Sequence, residues 1–454
     1  MYTIEKSIIS VIQNHYDYES SKALLIEEIK VRFLYFVDAA KTYLVEDYVE
    51  NEWRDSYDLY YSKSSYSSCN SKVKRVHFIT EEIDSYKGIN ENNYLGYINI
   101  RPIPIVNAVL SRIRLKCTSE AFSLSPDTQY FCMSIYTTIN LPHMSIKYKS
   151  FPLYSQDSMV AVCAHADILM ISKYMYKKFN FNNYKLQELV KNDTFMYNTS
   201  GRSVPSGGLT IYQIIQILKA NNYNPVAKLF NKGVYDEKVN IIQYIDSFLE
   251  SALPVILAFG QHVIIIIGHT HNDNNERYYL IADDSTYHLT KSFETRKAHI
   301  ETVSEKKLKD VFLENDIYII TPSFDRFYLQ IPNLNLILEE TKKTIIEKYF
   351  DKNEKIDILT REVLAESAKI KQFLYGCGDE EYDSVCMPHY VWYIEFYLNE
   401  KKLENLAFYM IIDASAHQYD RQYSIIKNKV HKPLMTIKKT MLKEVRQLSL
   451  LTKI

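Results

Sequence analysis

An α+β fold class is predicted for this chain of 454 residues by three observations. The length is sufficient for two to four domains, each with its own core. Short apolar runs rich in β-branched residues, bounded by glycine, proline or polar residues, indicate strands. Segments with apolar residues three and four positions apart indicate amphipathic helices. No internal repeat, Walker loop or Rossmann fingerprint accompanies these segments.

Residues 1–150 are predicted to form an N-terminal α+β domain. Residues 1–14 have one apolar side and indicate a helix. Residues 29–48 contain short apolar stretches that suit strands, and a helix fits the first half of this segment equally well. Residues 57–74 are rich in Ser, Tyr and Asn and indicate a loop. Further strands are predicted at residues 76–80, 94–100, 131–139 and 144–149.

Residues 151–323 are predicted to form a central domain with helices packed on an antiparallel sheet. A helix follows Cys163, and a short helix is predicted at residues 184–191. A Gly/Ser loop at residues 198–208 leads to Thr210, which is a suitable N-cap for a helix over residues 211–220. Residues 240–251 indicate another amphipathic helix.

Residues 324–454 are predicted to form a C-terminal α+β region with long helices and a basic tail. Helices are expected at residues 336–350 and 358–373, and strands at residues 390–398 and 406–412. The tail, residues 425–454, contains many Lys residues, and a solvated surface is its default interpretation.

Cys163 is the candidate nucleophile, because it stands at the front of an apolar, helix-compatible run after a polar loop that contains Gln156 and Asp157. Unsatisfied N–H groups at a helix N-terminus lower the pKa of a thiol, and the thiolate is the nucleophilic form. Gln156 can add a side-chain N–H donor to an oxyanion hole beside the backbone N–H of Cys163. A cysteine on its own is more often a core residue, so Cys163 needs a base.

His262 is the candidate base. Two apolar runs, residues 255–259 and 263–267, are separated by Gly260 and Gln261 and predict a buried hairpin, and a third strand at residues 278–282 ends in Asp283 and Asp284. If these strands are antiparallel neighbours, His262 lies beside the two carboxylates, and one of them orients the imidazole. His269 is the alternate base, although His269 and His271 are expected in a solvated turn.

The order of these residues resembles that of the papain-like cysteine peptidases, in particular the C39-like branch. The segment GGLTIYQIIQILKANNYNP strengthens the resemblance, which covers about residues 151–323. Two departures are the sequence Asp283-Asp284-Ser285, where Asp-Pro is usual, and CAHAD in place of the papain signature. The flanking regions resemble those of uncharacterised bacterial proteins.

The resemblance implies a cysteine peptidase that hydrolyses a peptide or isopeptide bond. Cys163, His262 and Asp283 or Asp284 would act as the triad and Gln156 as an oxyanion donor, and no cofactor is needed. The alternative is a catalytically inactive papain-like binding module in a larger assembly. A role in bacterial antiviral (phage) defence is a third hypothesis.

Composition limits the partners and the compartment. With 54 Lys plus Arg against 55 Asp plus Glu, there is no global electrostatic reason to expect nucleic acid. Six cysteines without framework spacing indicate a reducing compartment, and no apolar run is long enough to span a membrane, so a cytoplasmic location is predicted. The expected partners are a protein or peptide substrate and a protein partner or activator. Cys377, Cys386 and His389 lack a paired C-x-x-C, so no metal site is predicted.

Overall fold

The computed structural model describes residues 2–63, 69–195, 206–233, 241–260, 262–271, 276–283, 300–349, 358–376, 386–398 and 406–415. The chain divides into two compact units: unit 1 contains residues 1–222 and 256–318, and unit 2 contains residues 223–255 and 319–454. Helices and antiparallel sheets occur in both units, so the predicted α+β class is confirmed.

Unit 1 contains an antiparallel sheet of six strands in the order β1-β2-β3-β4-β5-β9. The strands are β1 (Tyr2–Glu5), β2 (Thr42–Tyr48), β3 (Val73–Ile79), β4 (Tyr94–Ile100), β5 (Leu110–Leu115) and β9 (Leu153–Tyr154). A separate hairpin, β7 (Ile135–Leu141) with β8 (Met144–Ser150), packs on this sheet through a cluster of buried side chains that includes Leu44, Ile79, Tyr94, Ile139 and Ile146. This cluster forms a core between the hairpin and strands β1 to β4.

A second sheet of unit 1 contains the strands that surround His262. Its order is β11-β12-β13-β14, and β6 also pairs with β12. The strands are β6 (Tyr130–Cys132), β11 (Val255–Phe259), β12 (His262–His271), β13 (Arg277–Ala282) and β14 (Glu301–Ser304). Strand β12 is buried along most of its length, as its apolar sequence requires.

The helices of unit 1 are α1 (Ile8–His15), α2 (Glu19–Arg32), α3 (Leu34–Ala39), α4 (Asn51–Leu59), α5 (Val106–Val109), α6 (Cys163–Phe179), α7 (Leu186–Phe195), α8 (Ile211–Ala220) and α10 (Glu305–Glu314). Helix α6 is largely buried and packs against β9 and β12. Helix α8 begins as predicted, with Thr210 and Gln213 forming a capping box.

Several N-terminal predictions need correction. The helix predicted for residues 1–14 is β1 followed by α1, because residues 2–5 pair with β2 and Ser7 caps the helix with its side chain. The loop predicted for residues 57–74 is wrong at both ends, since α4 extends to Leu59 and β3 begins at Val73. The strand predicted for residues 131–139 is divided between β6 and β7, because β6 pairs with β12 and β7 with β8. Residues 76–80, 94–100 and 144–149 are confirmed as strand regions, although β3 ends at Ile79.

Unit 2 contains a three-stranded antiparallel sheet of β16 (Ile358–Glu366), β17 (Tyr390–Leu398) and β18 (Leu406–Asp413). Helix α12 (Ser367–Gly376) packs its buried side chains against β17 and β18, and α9 (Ile241–Glu250) packs against β16. The unit also contains β10 (Val226–Phe230) and α11 (Ile331–Tyr349), while β15 (Ile317–Thr321) begins at the end of unit 1.

The helix predicted for residues 358–373 is wrong over its first half. Residues 358–366 are β16, which pairs with β17 along its full length, and the helix begins only at Ser367. Pairing with a distant strand therefore outweighs the local helical spacing. The strand at residues 390–398 is confirmed, whereas the basic tail lies outside the described residues.

The predicted boundary at residue 150 is crossed by sheet pairing, since β5 pairs with β9 and β6 with β12. Whether three parts fold separately is a question of stability, so the division at residues 150 and 323 stays a prediction. No helix in the described part of the chain is long and apolar enough to cross a bilayer.

Candidate active site

Cys163 is the first residue of helix α6, and its side chain is half-buried. The preceding residue, Val162, has extended backbone angles and makes no side-chain capping hydrogen bond. Valine has no hydroxyl or carboxylate to accept from the first N–H groups of the helix, so the partial positive charge of the helix start is not offset by its cap. A helix start of this kind is a position at which the pKa of a cysteine thiol is generally lowered.

The loop before Cys163 is closed by the carboxylate of Asp157. Oδ1 of Asp157 accepts hydrogen bonds from the backbone N–H groups of Met159 (2.9 Å), Val160 (2.7 Å) and Ala161 (3.0 Å). The backbone N–H of Asp157 in turn donates to the carbonyl of Ala161 at 2.8 Å. Ser158 has a φ of 66°, a left-handed conformation that a tight turn requires. The chain therefore enters α6 from a fixed turn.

Arg101 holds the other end of this loop. Its guanidinium is fully buried and donates to the carbonyls of Ser155 (2.7 Å) and Gln156 (2.9 Å). It also donates to the carbonyls of Ala108 (2.6 Å) and Leu110 (2.7 Å). Burial acts to lower the pKa of Arg101, but the nearby Tyr154, Asp157 and Glu50 outweigh it and raise this pKa, so the guanidinium stays charged.

His262 and Asp283 are in contact: Nε2 of the imidazole lies 3.2 Å from Oδ1 of the carboxylate. The contact follows from the sheet register, because Ile265 of β12 is paired with Ala282 of β13, which places the residue after Ala282 near the start of β12. Both residues are buried, at 7% and 5% exposure. A carboxylate shielded from water fixes the orientation of an imidazole more strongly than an exposed one. Asp284 lies outside the described residues.

The structure places the helix of Cys163 against the strand of His262 and leaves Gln156 in the loop before that helix. Helix α6, which begins with Cys163, packs against β12, which begins with His262. Gln156 is half-buried, and its carbonyl is the acceptor that Arg101 holds. The pairing of the Cys163 thiol with the His262 imidazole and the oxyanion role of the Gln156 side chain stay predictions.

The other histidines occupy different environments. The turn predicted for His269 and His271 is wrong, because strand β12 continues to His271. Strand β13 pairs with β12 as far as His271, and β6 pairs with β12 at Gly268–Thr270. His269 is half-buried and packs against Phe131. His165 is fully buried, and its ring nitrogens have no hydrogen-bond partner among the described residues. Burial lowers the pKa of His165 to about 4, so its imidazole is neutral at pH 7.

The residues that fix the loop carry little signal in the sequence. Asp157 has one such signal, because an aspartate two to four positions before free N–H groups is typical of an Asx-type turn. Arg101 follows a buried strand and precedes a proline, and nothing in that local pattern indicates a partner more than fifty residues away. Ser56 and Tyr61, which also contact Asp157, carry no local signal.

A metal centre has no support within the described part of the chain, where no group of three or more His, Cys, Asp or Glu side chains converges. Cys386 and His389 are described, whereas Cys377 lies outside the described residues.

No protein-family model matches the chain. No curated protein is similar to it. Among solved structures, the crystal structure of UfSP from C. elegans is similar, with a TM-score of 0.28 and 12% sequence identity. The similarity covers 45% of this chain and 36% of that chain, so it spans about a third of that protein. A TM-score this low does not establish a shared function.

Proposed function

We propose that this protein is a cysteine peptidase-like hydrolase that cleaves a peptide or isopeptide bond through an acyl-enzyme intermediate. The observation that supports the proposal most is the buried contact between His262 Nε2 and Asp283 Oδ1. It joins two residues that follow Cys163 in the order nucleophile, base, orienting carboxylate. Cys163 itself stands at the uncapped start of a helix that packs on the strand of His262.

The proposed reaction has two halves. The Cys163 thiolate attacks the carbonyl carbon, and the oxyanion accepts hydrogen bonds from the backbone N–H of Cys163 and the side chain of Gln156. His262, as the imidazolium, donates its proton to the leaving amine as the C–N bond breaks. Water, deprotonated by His262, then attacks the thioester, and the acid product leaves with Cys163 restored to the thiolate.

The tautomer of His262 follows from the contact with Asp283. A carboxylate accepts a hydrogen bond, so it favours the tautomer in which Nε2 carries the proton. Nδ1 is then the nitrogen that exchanges a proton with the thiol and with the leaving group. Asp283 also stabilises the imidazolium that forms when Cys163 is a thiolate, so loss of this carboxylate affects both the orientation and the charge of the base.

The proposal is tested with p-nitrophenyl acetate, a small acyl donor that requires no knowledge of the natural substrate. We expect acetylation of Cys163, localised by peptide mass spectrometry, followed by turnover. Cys163→Ser should abolish the Cys163 adduct, and His262→Ala should reduce its formation by about a hundredfold, the usual contribution of a positioned base. Cys117→Ser and His143→Ala are the matched controls and should behave as the wild type.

Two results would contradict the proposal. One is release of p-nitrophenol by Cys163→Ser at the wild-type rate, which would place the reactive group elsewhere. The other is a folded wild type in which Cys163 carries no acetyl group while surface lysines do. The second result would favour a catalytically inactive binding module with the same fold.

A further inference from the structure

The loop of residues 155–162, called here the oxyanion loop, contains Gln156 and leads directly into Cys163. Side chains from the first 150 residues hold it at several points. Oδ2 of Asp157 accepts a hydrogen bond from Ser56 Oγ at 2.5 Å, and the carbonyl of Asp157 accepts one from Tyr61 Oη at 2.7 Å. Arg101 donates to the carbonyls of Ser155 and Gln156.

These contacts are fully enclosed. Ser56, Tyr61, Arg101 and Asp157 are each at most 1% exposed. Hydrogen bonds to charged groups in such surroundings are stronger than those between neutral groups in water, and loss of one partner leaves a buried polar group unsatisfied. The positions of the loop carbonyls therefore depend on these side chains.

The elements that carry Ser56 and Tyr61 are helical and packed against each other. Ser56 lies on α4 (Asn51–Leu59), and Tyr61 lies in the 3-10 turn Tyr61–Lys63 that follows it. The buried rings of Trp53 and Tyr61 pack with centroids 4.9 Å apart. Arg101 presents a planar guanidinium whose donors have fixed directions, a geometry that lysine cannot reproduce.

The contacts enclose Gln156 on both sides. Arg101 fixes the carbonyls of Ser155 and Gln156, while Ser56 and Tyr61 fix Asp157, the next residue. Asp157 in turn accepts from three N–H groups of the turn that leads to Cys163. The backbone on each side of Gln156 is thus fixed by groups more than fifty residues distant in the chain.

We infer that Ser56, Tyr61 and Arg101 are positioning residues that set the geometry of the oxyanion donors, which makes the first 150 residues an integral part of the active site. This inference rests on the proposed function. Oxyanion stabilisation depends on donors preorganised at hydrogen-bond distance from the oxygen on which charge develops. A loop displaced by the loss of one buried contact keeps its residues but loses that geometry.

Two reactions of Cys163 separate this role from a structural one. Alkylation by iodoacetamide needs the thiolate but develops no oxyanion, because attack occurs at a saturated carbon. Acetylation by p-nitrophenyl acetate needs both the thiolate and the oxyanion donors. A positioning residue of the oxyanion loop should therefore affect acetylation and leave alkylation unchanged.

The variants are Ser56→Ala and Tyr61→Phe, each of which removes one hydroxyl that donates to Asp157 of the oxyanion loop. We expect acetylation of Cys163 to be slower by about tenfold, less than the loss of a whole oxyanion donor, with alkylation within about twofold of the wild type. Amide hydrogen exchange in residues 155–162 should be faster in both variants. Ser56→Thr, which keeps the hydroxyl, should restore acetylation.

Tyr148→Phe is the matched control, because it removes a buried tyrosine hydroxyl that donates to the Arg114 carbonyl at 2.7 Å in the same unit. It should leave acetylation and exchange in residues 155–162 as in the wild type. If Ser56→Ala does not fold, Tyr61→Phe carries the test alone.

The outcomes separate the inference from the proposed function. The inference alone would be overturned if the wild type is acetylated on Cys163 and both Ser56→Ala and Tyr61→Phe are acetylated at the same rate. Unchanged hydrogen exchange in residues 155–162 would also overturn it, as would an equal loss of alkylation and acetylation. Wild type that is not acetylated on Cys163 would overturn the proposed function and the inference together.

Discussion

Two buried histidines show how the same residue type acquires different chemistry. His262 has a carboxylate at 3.2 Å, whereas His165 has no hydrogen-bond partner among the described residues. Desolvation disfavours a charged imidazole, and only a close carboxylate compensates for it. His165, which has no such partner, is therefore held in its neutral form.

The neutral state of His165 predicts a loss of stability in acid. Its pKa is lowered to about 4 by burial, partly opposed by Asp157, while an unfolded histidine has a pKa of about 6.5. As the pH falls from about 6.5 to about 4, the unfolded chain binds a proton that folded His165 does not, so stability falls across this window and the loss levels off below it. The expected contribution is at most about 3 kcal/mol.

Melting temperatures at pH 7.5 and pH 5 test this contribution. Between pH 7.5 and pH 5, the melting temperature of His165→Gln, which is uncharged at both pH values, should decrease less than that of the wild type. Some decrease should remain, because burial also lowers the pKa of His77. His143→Gln, a change of an exposed residue, is the control. An identical decrease in wild type and His165→Gln would contradict the prediction.

At the scale of elements, the sequence predicts well wherever local signals and tertiary pairing agree. Strands at residues 255–259, 94–100 and 390–398 and the helix at residues 211–220 have the predicted bounds. The sequence fails where a distant partner decides the conformation, as in β16, or where one apolar run serves two partners, as in β6 and β7. No local pattern records which strand another strand will meet.

Gly268 of β12 lies where a strand distant in the chain, β6, comes close to its backbone. It is paired with Cys132, and a Cβ atom at position 268 would lie 2.0 Å from the Phe131 carbonyl oxygen. Because that obstacle is backbone, we expect Gly268→Ala to destabilise the protein by about 3 kcal/mol. Gly207→Ala is the control, since a Cβ at position 207 has nothing within 4 Å. Equal melting temperatures for the two variants would contradict the prediction.

In the candidate site, too, local signals are visible in the sequence, whereas contacts with distant residues are not. The chain order of Cys163, His262 and the Asp283-Asp284 pair is visible in the sequence, and antiparallel neighbouring strands predict that His262 lies beside these carboxylates. In the structure, Asp283 contacts His262. The groups that hold the oxyanion loop are not visible, because Ser56, Tyr61 and Arg101 act through contacts with residues far along the chain.

At the scale of the whole molecule, the chain is organised in two units, each containing distant segments. Residues 223–255, between Cys163 and His262 in the sequence, belong with residues 319–454. Within unit 2, Arg361 of β16 contacts Glu250 of α9 at 2.6 Å, and the backbone N–H of Leu364 donates to Ser251 Oγ at 2.8 Å. Helix α9 therefore depends on a strand that follows it by more than a hundred residues.

Because α9 packs on β16, a chain cut at the predicted boundary of residue 323 should lose stability. A fragment of residues 1–323 lacks β16, so the apolar face of α9 and the Glu250 carboxylate lose their partners. We expect the fragment to be less stable than the full chain by at least about 3 kcal/mol, the cost of removing one partner of a buried ion pair. The melting temperature of each chain is the measurement, and equal values would contradict the prediction.

The proposed reaction requires Cys163, His262 and Asp283 to act together. This is measured by the pH dependence of Cys163 alkylation by iodoacetamide, followed by peptide mass spectrometry. In the wild type we expect labelling of Cys163 well below pH 8.5, the ordinary pKa of a cysteine thiol. His262→Ala should move the labelling midpoint up by about two pH units, and Asp283→Asn should move it less, because the carboxylate acts through the imidazole. His143→Ala and Asp127→Asn, which change exposed residues, should leave it in place. A Cys163 thiol that is labelled with the same midpoint in wild type and His262→Ala would contradict the account.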